Sequence, residues 1–197
     1  IRYHLKNFLT KNYSSVMIVT DEVVSKLYLE DVKRALKHFR IVEVVLPEGA
    51  KTKSIDYYYQ LQTKAIESGL DRSSLMVALG GGVIGDLTGF VAATFMRGID
   101  YVQVPTTILA HDSSVGGKVA INHELGKNLI GSFFPPQAVI YDVHTLETLK
   151  DHEVSSGYAE LMKEAFISDA SFVHELLNTN LANITNTDLL QHLYKGI

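Results

Sequence analysis

The fold is decided by the stretch Leu75-Met76-Val77-Ala78-Leu79-Gly80-Gly81-Gly82-Val83-Ile84-Gly85-Asp86. Its first five residues are apolar and predict a short buried strand, and the apolar run from Val83 to Met96 predicts a buried helix. Between the two lies a G-x-G-x-x-G pattern. Glycines let a backbone approach a phosphate, and a helix N-terminus offers free N–H groups and a positive dipole. We therefore predict a phosphate-binding turn, with a tight turn that binds nothing as the alternative.

Similar apolar segments recur along the chain and alternate with helical patterns. We predict further strands at 16–20, 41–46, 102–104 and 138–141, and helices at 22–39 and 54–68. Strands of continuous Val, Ile and Leu that alternate with helices indicate an α/β fold, a Rossmann-like open parallel sheet with flanking helices. From about Val154 the pattern is wholly helical, with segments at 154–167, 171–177 and 188–194. A second, all-helical domain is therefore expected to begin near residue 150.

Composition excludes several classes of protein. The 197 residues carry a net charge of −4, which gives no general attraction to nucleic acid or to an anionic membrane. Cysteine is absent, which excludes disulfides and thiolate metal sites and fits a reducing cytoplasm. The chain begins at Ile1 rather than methionine and ends within a helical pattern. We expect a cytoplasmic protein without nucleic-acid or membrane partners, and a chain that is a fragment.

The position of the glycine turn is unusual for a dinucleotide site. The common fingerprint lies after the first strand, with a ribose-binding acid about 20 residues later. Here the turn follows the third strand, and Asp100 at roughly that spacing lies in a predicted loop. Asp21, at the end of the first strand, is the better candidate for the ribose. It could equally cap the next helix, and both roles are compatible.

Polar residues cluster after the fourth strand. Thr106 and Thr107 could contact a nucleotide or cap the helix that follows. The stretch His111-Asp112-Ser113-Ser114-Val115-Gly116-Gly117-Lys118 and the segment Gly126-Lys127-Asn128 are predicted loops whose lysines and amide suit an acidic small molecule. Arg97 could join the same anion site. A solvated basic loop is the alternative.

Glu160, Lys163 and Glu164 follow each other at helical spacing in the predicted 154–167 helix. On spacing alone we expect a surface salt-bridge ladder. The chain contains no HExxH motif and no Cys/His cluster, so a metal site completed within its residues is not expected.

The motifs together resemble the 3-dehydroquinate synthase family. The resemblance rests on 79–93, on Val102-Gln103-Val104-Pro105-Thr106-Thr107, on 112–118, on Gly126-Lys127-Asn128-Leu129-Ile130-Gly131 and on 156–163, in the family's order and spacing. It implies an NAD- and zinc- (or cobalt-) dependent lyase that converts 3-deoxy-D-arabino-heptulosonate 7-phosphate to 3-dehydroquinate and phosphate. NAD would oxidise a hydroxyl, phosphate would leave, and the returned hydride would regenerate NAD before an intramolecular aldol step closes the ring.

The resemblance also implies roles for individual residues and divides the chain at residue 150, with an NAD-binding domain in 1–150 and the beginning of a metal and substrate domain in 151–197. Residues matched to cofactor positions are Asp21, Glu48, Gly49, Lys53, Gly81, Gly82, Gly85, Asp86, Thr106, Thr107, Lys118, Lys127, Thr145 and Thr148. Residues matched to substrate positions are Arg97, Asp112, Lys118 and Asn128, with Asp112, Lys118 and Lys163 implied in catalysis and Glu160 as a zinc ligand.

Two features of the family's pattern differ here. Ala50 stands where the family's loop carries a glutamate, and the downstream segment with two zinc histidines is absent. We therefore expect a fragment that binds zinc poorly and does not catalyse alone, and whose whole protein is a homodimer acting on a sugar phosphate. The alternatives are a related sugar-phosphate cyclase, an NAD-dependent polyol or alcohol dehydrogenase, and a nucleotide-sensing domain.

Overall fold

The computed structural model describes Leu5 and residues 11–196, without the side chains of His111, Asp112 and Ala182. Strands β1 (Val16–Asp21), β2 (Ile41–Leu46), β3 (Leu75–Gly80), β4 (Asp100–Pro105) and β7 (Ala138–Val139) form one parallel sheet in the order β2-β1-β3-β4-β7. The five strands predicted from apolar runs are thus confirmed, as is the open parallel sheet.

Helices cover both faces of this sheet. After β1 come α1 (Glu22–Val24), a π-helical turn (Ser25–Leu29) and α2 (Glu30–Ala35). Helices α3 (Ile55–Glu67) and α4 (Gly82–Thr94) follow β2 and β3. Met17 and Val19 pack in one core with α3 and α4, whereas their neighbours Val16 and Ile18 pack in another with α2. Because side chains alternate along a strand, these two cores lie on opposite faces of the sheet.

Two local predictions are corrected by the structure. The helix predicted over 22–39 is confirmed over 22–35, but it contains the π-helical turn and ends at Ala35. The segment predicted as loops contains a short helix, α5 (Ala110–Val115), and an antiparallel hairpin of β5 (Lys118–His123) and β6 (Gly126–Phe133). The hairpin covers α4, since Val119 and Ile121 are buried in the same core as Phe90. The sequence did not indicate this hairpin, because β6 contains glycines and is exposed, so it lacks the apolar pattern of a buried strand.

The last third of the described chain is helical. A 3-10 segment (Val143–Thr148) leads into α6 (Asp151–Ser168), α7 (Ala170–Leu177) and α8 (Asn186–Lys195), which confirms the helical pattern in this part of the sequence. These helices share a third core that includes Leu161, Phe172 and Leu193 and that reaches Ile108 beside the sheet. Among the described residues, no helix is long and apolar enough to cross a membrane.

Candidate functional site

A cleft of about 570 Å³ opens at the carboxyl ends of the parallel strands. The chain runs from β1 outward to β2 and then returns past β1 to β3, so the strand order reverses between β1 and β3. Asp21 at the end of β1 and Gly81 after β3 both line the cleft. Ligands of open α/β sheets bind at this reversal. The cleft is therefore the expected ligand site of the fold.

The glycine turn forms the floor of the cleft. Gly81 immediately precedes α4, and Gly82 is the first residue of that helix. A Cβ atom on Gly81 would lie 3.0 Å from Thr107 Cγ2, so a side chain there would crowd the wall of the cleft. The first N–H groups of α4 have no partners within the helix and face the space that the glycines leave open. This geometry fits an anionic group such as a pyrophosphate.

A buried ion pair closes one side of the cleft. Lys53, 8% exposed, donates hydrogen bonds from Nζ to Asp86 Oδ2 and to Asn128 Oδ1. Burial raises the pKa of the Asp86 carboxyl above its usual value, and the charges of Lys53 and Lys118 oppose that rise. Asn128 has a left-handed backbone with φ of 59°, and its N–H donates to Asn122 Oδ1. Lys53 thus joins α4 to the hairpin.

Thr106 and Thr107 have different surroundings. Thr107 Oγ1 accepts from Ala110 N at 3.3 Å, which fits the capping role that the sequence left open. Thr106 Oγ1 is buried at the cleft and has no hydrogen-bond partner in the described part of the structure. A buried hydroxyl without a partner is costly, so this atom is suited to a polar group of a bound ligand.

The cleft brings together most of the residues predicted from the sequence. Predicted residues that line it are Asp21, Glu48, Gly49, Lys53, Gly81, Gly82, Asp86, Thr106, Thr107, Lys127, Asn128 and Thr148. They come from the ends of β1 to β4, the hairpin and the 3-10 segment before α6. Segments that are far apart in the sequence therefore converge on one site.

Several other predicted residues do not line the cleft. Gly85 is buried against the side chain of Gln103, and the Thr145 hydroxyl donates to Asp142 O. Lys118, at the start of β5, is close enough for its charge to act on Asp86. The side chain of Asp112 lies outside the described part of the structure.

Arg97 lies at the amino ends of the parallel strands, whereas the cleft lies at their carboxyl ends. It precedes β4, has a φ of 71°, and lines a separate cavity of about 640 Å³ with Lys11, Arg72 and Asp100. Because the cleft is at the opposite ends of the strands, Arg97 is not part of the cleft of its own chain. Asp100 shares this position and is paired with Lys11 at 2.8 Å, which removes it as a ribose ligand in this cleft.

Glu160 and Lys163 lie on α6, beyond the part of this helix that lines the cleft. Lys163 pairs with Glu160 and, at 2.9 Å, with Glu164, so the surface ladder expected from spacing is confirmed. These two carboxylates, Glu160 first, raise the pKa of Lys163. Glu160 follows Ser156, which lines the cleft, by one helical turn on the same face. No group of three or more His, Asp or Glu side chains in the described residues could hold a metal ion.

The cleft also contains residues that sequence reasoning missed. Tyr28 and Leu27 reach it from the π-helical turn, and His152, Glu153 and Ser156 reach it from the first turns of α6. Their signal in the sequence was weak, because helix patterns show which residues are buried and not which exposed face borders a ligand. The available clue was a tyrosine about two helical turns after Asp21, the residue that ends the first strand and caps the next helix.

The fold and the cleft define an open α/β protein with a candidate ligand site at the reversal of strand order. Residues 43–156 match the family model described as 3-dehydroquinate synthase N-terminal. The chain is similar to 3-dehydroquinate synthase of Oceanobacillus iheyensis, with 57% identity over 198 aligned positions that cover 100% of this chain and 55% of that protein. It is 62% identical over 160 residues to that of Halalkalibacterium halodurans, covering 81% of this chain and 44% of the relative.

The chain therefore belongs to the 3-dehydroquinate synthase family, and it spans about half the length of the curated relatives it matches. Among solved structures, a 2-deoxy-scyllo-inosose synthase complexed with carbaglucose-6-phosphate, NAD⁺ and Co²⁺ superimposes with a TM-score of 0.89 at 26% identity, covering 100% of this chain and 56% of that one. An iron-containing alcohol dehydrogenase of Thermotoga maritima shares the fold, with a TM-score of 0.75 at 17% identity, covering 98% of this chain and 61% of that one.

Proposed function

We propose that this chain is the cofactor-binding half of an enzyme that converts 3-deoxy-D-arabino-heptulosonate 7-phosphate to 3-dehydroquinate and phosphate. The observation that carries the proposal is the composition of the cleft. Its floor is a glycine turn at a helix N-terminus, and one side carries Lys127 and Asn128 of the hairpin. A turn that can bind a dinucleotide, next to a lysine and an amide side chain, suits a reaction between a nucleotide cofactor and an anionic sugar.

NAD is the proposed cofactor. Gly81 and Gly82 would hold the pyrophosphate, the buried Thr106 hydroxyl would gain the partner that it lacks, and Asp21 would accept from a ribose hydroxyl. Bound NAD would supply a reversible hydride acceptor. The similar 2-deoxy-scyllo-inosose synthase was solved with NAD⁺, which supports this choice.

The chain's own residues would bind and orient the substrate. Lys127 and Asn128 would hold its anionic groups, and Lys53 would keep the Asn128 amide in place through the hydrogen bond to Oδ1. Lys53 would also compensate the buried charge of Asp86 next to the cofactor. Asp112, Lys118 and Lys163 remain the proposed catalytic groups, and Arg97 a proposed substrate residue that its own chain's cleft does not contain.

The metal site is incomplete in this chain. Zinc in catalytic sites takes about three protein ligands. We propose Glu160 as one of them, with two histidines supplied outside this chain. The described residues alone do not fit a bound metal ion. The homodimer, the cytoplasmic location and the division into two domains at residue 150 stay predictions.

Three activity measurements test the proposal. The whole protein that contains this chain should release inorganic phosphate from the heptulosonate phosphate with catalytic NAD⁺ and added zinc or cobalt. Stoichiometric accumulation of NADH from an alcohol would instead support the dehydrogenase alternative. Activity on glucose 6-phosphate but not on the heptulosonate phosphate would support a related cyclase, which the 0.89 TM-score to the inosose synthase keeps as the second candidate.

A further inference from the structure

The helical segment after β1 forms one wall of the cleft and contains an irregular turn. The π-helical turn Ser25–Leu29 separates α1 from α2. Such turns are rare and occur frequently at functional sites. Leu29 points into the core beneath the sheet, whereas Leu27 and Tyr28 line the cleft. The irregular turn therefore lies where the wall meets the ligand space.

The Tyr28 side chain joins this wall to a distant part of the chain. Its hydroxyl lies 2.7 Å from Thr148 Oγ1 and 3.2 Å from the carbonyl oxygen of Thr145, across 120 and 117 residues. Thr148 Oγ1 lies 3.1 Å from the same carbonyl. The two hydroxyls and the carbonyl thus form one small hydrogen-bonded group, which fixes the last turn of the 3-10 segment.

That 3-10 segment carries the opposite wall. It ends at Thr148, and α6 begins three residues later at Asp151. Lys150 and Glu153, at the start of α6, line the cleft together with Thr148. The Tyr28 hydroxyl is therefore a direct link between the wall after β1 and the wall before α6, and it sets their separation.

The position of this link indicates which half of a dinucleotide it would affect. Lys127 and Asn128 lie at the hairpin end of the cleft, where a sugar phosphate would meet the reactive nicotinamide ring. Asp21 is the last residue of β1, and β3 with its glycine turn lies between β1 and β4, the strand that precedes the hairpin in the chain. A dinucleotide whose pyrophosphate is on Gly81 and Gly82 would then place its adenosine half beside Tyr28.

We propose that Tyr28 is a positioning residue for the adenosine half of the cofactor, which it serves by holding Thr148 and the start of α6 at the cleft. This inference rests on the proposed function for the identity of the ligand. The position of Thr148, however, depends on Tyr28 with or without a ligand.

Ligand affinity is the first test, measured by calorimetry on this chain with NAD⁺, AMP and nicotinamide mononucleotide as probes. Tyr28→Phe should weaken NAD⁺ and AMP by about two- to tenfold, the range for one lost hydrogen bond, and leave the mononucleotide unchanged. Tyr58→Phe is the matched control, because Tyr58 OH donates to Thr94 Oγ1 at 3.0 Å between α3 and α4, away from the cleft. It should leave all three affinities unchanged.

Amide hydrogen exchange without ligand is the second test. Exchange at 145–149 should be faster in Tyr28→Phe than in the unchanged chain or in Tyr58→Phe. In a Thr148→Val background, Tyr28→Phe should have little further effect on AMP affinity, because the two changes remove the same bond. Unchanged exchange at 145–149 in Tyr28→Phe overturns the proposal. Weaker AMP binding together with unchanged exchange would mean that Tyr28 contacts the ligand directly. If the unchanged chain does not bind NAD⁺, the proposed cofactor is wrong, while the exchange result still decides whether Tyr28 fixes the position of Thr148.

Discussion

The Lys53 ammonium and the Asp86 carboxylate form an ion pair at the edge of the cleft, with side-chain exposures of only 9% and 15%. Lys53 also binds Asn128, so one ammonium group connects the loop after β2, the first turns of α4 and the hairpin. The backbone supports the same connection, because Asn122 N donates to Lys53 O at 2.9 Å. The pair links the part of the cleft proposed for the cofactor to the part proposed for the substrate.

Lys53→Met should destabilise the chain by about 2–4 kcal/mol, because it leaves a buried carboxyl without its cation. The pKa of Asp86 is already raised by burial, and the loss of Lys53 would raise it further. Ionising such a carboxyl opposes folding, so the loss should be largest at neutral pH and smaller as the pH falls below the raised pKa. Urea unfolding at neutral and acidic pH measures this.

Lys11→Met is the control for that experiment. Lys11 pairs with Asp100 at 2.8 Å, but its side chain is 62% exposed, so the change should cost less than about 1 kcal/mol. Equal losses for the two variants would contradict the structural role assigned to Lys53.

The sheet could be predicted from the sequence because its central strands are buried on both faces. β1 and β3 are largely continuous apolar runs, a pattern typical of a parallel sheet covered by helices on both faces. The hairpin could not, because β6 is exposed along nearly its whole length and its register depends on contacts with β5 and α4. The π-helical turn was also missed. It differs from an α-helix only in its hydrogen-bond spacing, which the residue types at Ser25–Leu29 do not indicate.

The candidate site also contains some residues that could be predicted from the sequence and some that could not. Residues at the end of a strand or directly after it, such as Asp21, Gly81 and Thr106, could be assigned to the cleft because the carboxyl ends of parallel strands lie together. The order of the motifs wrongly suggested that Arg97 belongs to the cleft. Arg97 precedes β4 and therefore lies at the amino ends of the strands, in a separate cavity. Tyr28 was missed because its contact with Thr148 spans 120 residues.

Gly157→Ala should destabilise the chain by about 1–3 kcal/mol through overpacking. A Cβ atom at this position would lie 2.3 Å from Ile108 Cβ, so α6 could no longer pack as closely beside the sheet.

Gly82→Ala is the matched comparison, because its nearest neighbour would be Ser113 Oγ at 3.5 Å, an ordinary contact. It should leave stability unchanged yet weaken NAD⁺ binding by about tenfold, or about 1.4 kcal/mol, by filling the space for a phosphate. Thermal unfolding and calorimetry separate the two effects, and a Gly82→Ala variant that binds NAD⁺ normally would remove the glycine turn from the proposed site.

Asp71 should make the stability of the chain depend on pH in the acid range. Its Oδ1 accepts from Ser14 Oγ at 2.6 Å, Ser73 N at 2.9 Å and Ser74 Oγ at 3.1 Å. These bonds, that of Ser14 first, lower the pKa of the Asp71 carboxyl below its usual value. The folded chain therefore binds this proton less tightly than the unfolded chain, and the stabilisation is present above about pH 4 and lost as the pH falls through the lowered pKa.

Asp71→Asn tests this dependence, because the amide oxygen can accept similar bonds without titrating. The variant should be less stable than the unchanged chain at pH 7, and the difference should shrink towards pH 3. Glu67→Gln, at the exposed end of α3, controls for the simple removal of a negative charge. Urea unfolding midpoints at the two pH values give the comparison, and a difference that does not change with pH would contradict the assignment.

Asp21→Asn should separate the two roles that the sequence left open for this residue. Asp21 Oδ1 accepts from Val23 N and Val24 N, both at 2.9 Å, and so caps α1, while the side chain also lines the cleft. Asparagine caps helices about as well as aspartate, so stability should change by less than about 0.5 kcal/mol. The lost charge should weaken NAD⁺ binding and reduce the preference for NAD⁺ over NADP⁺, because an acid at the ribose repels a 2′-phosphate. Asp21→Ala removes both functions and should lose stability as well, by about 1 kcal/mol. Calorimetry with the two dinucleotides and thermal unfolding of both variants give the answer: if Asp21→Asn discriminates between NAD⁺ and NADP⁺ as the unchanged chain does, Asp21 is a helix cap and the ribose is bound elsewhere.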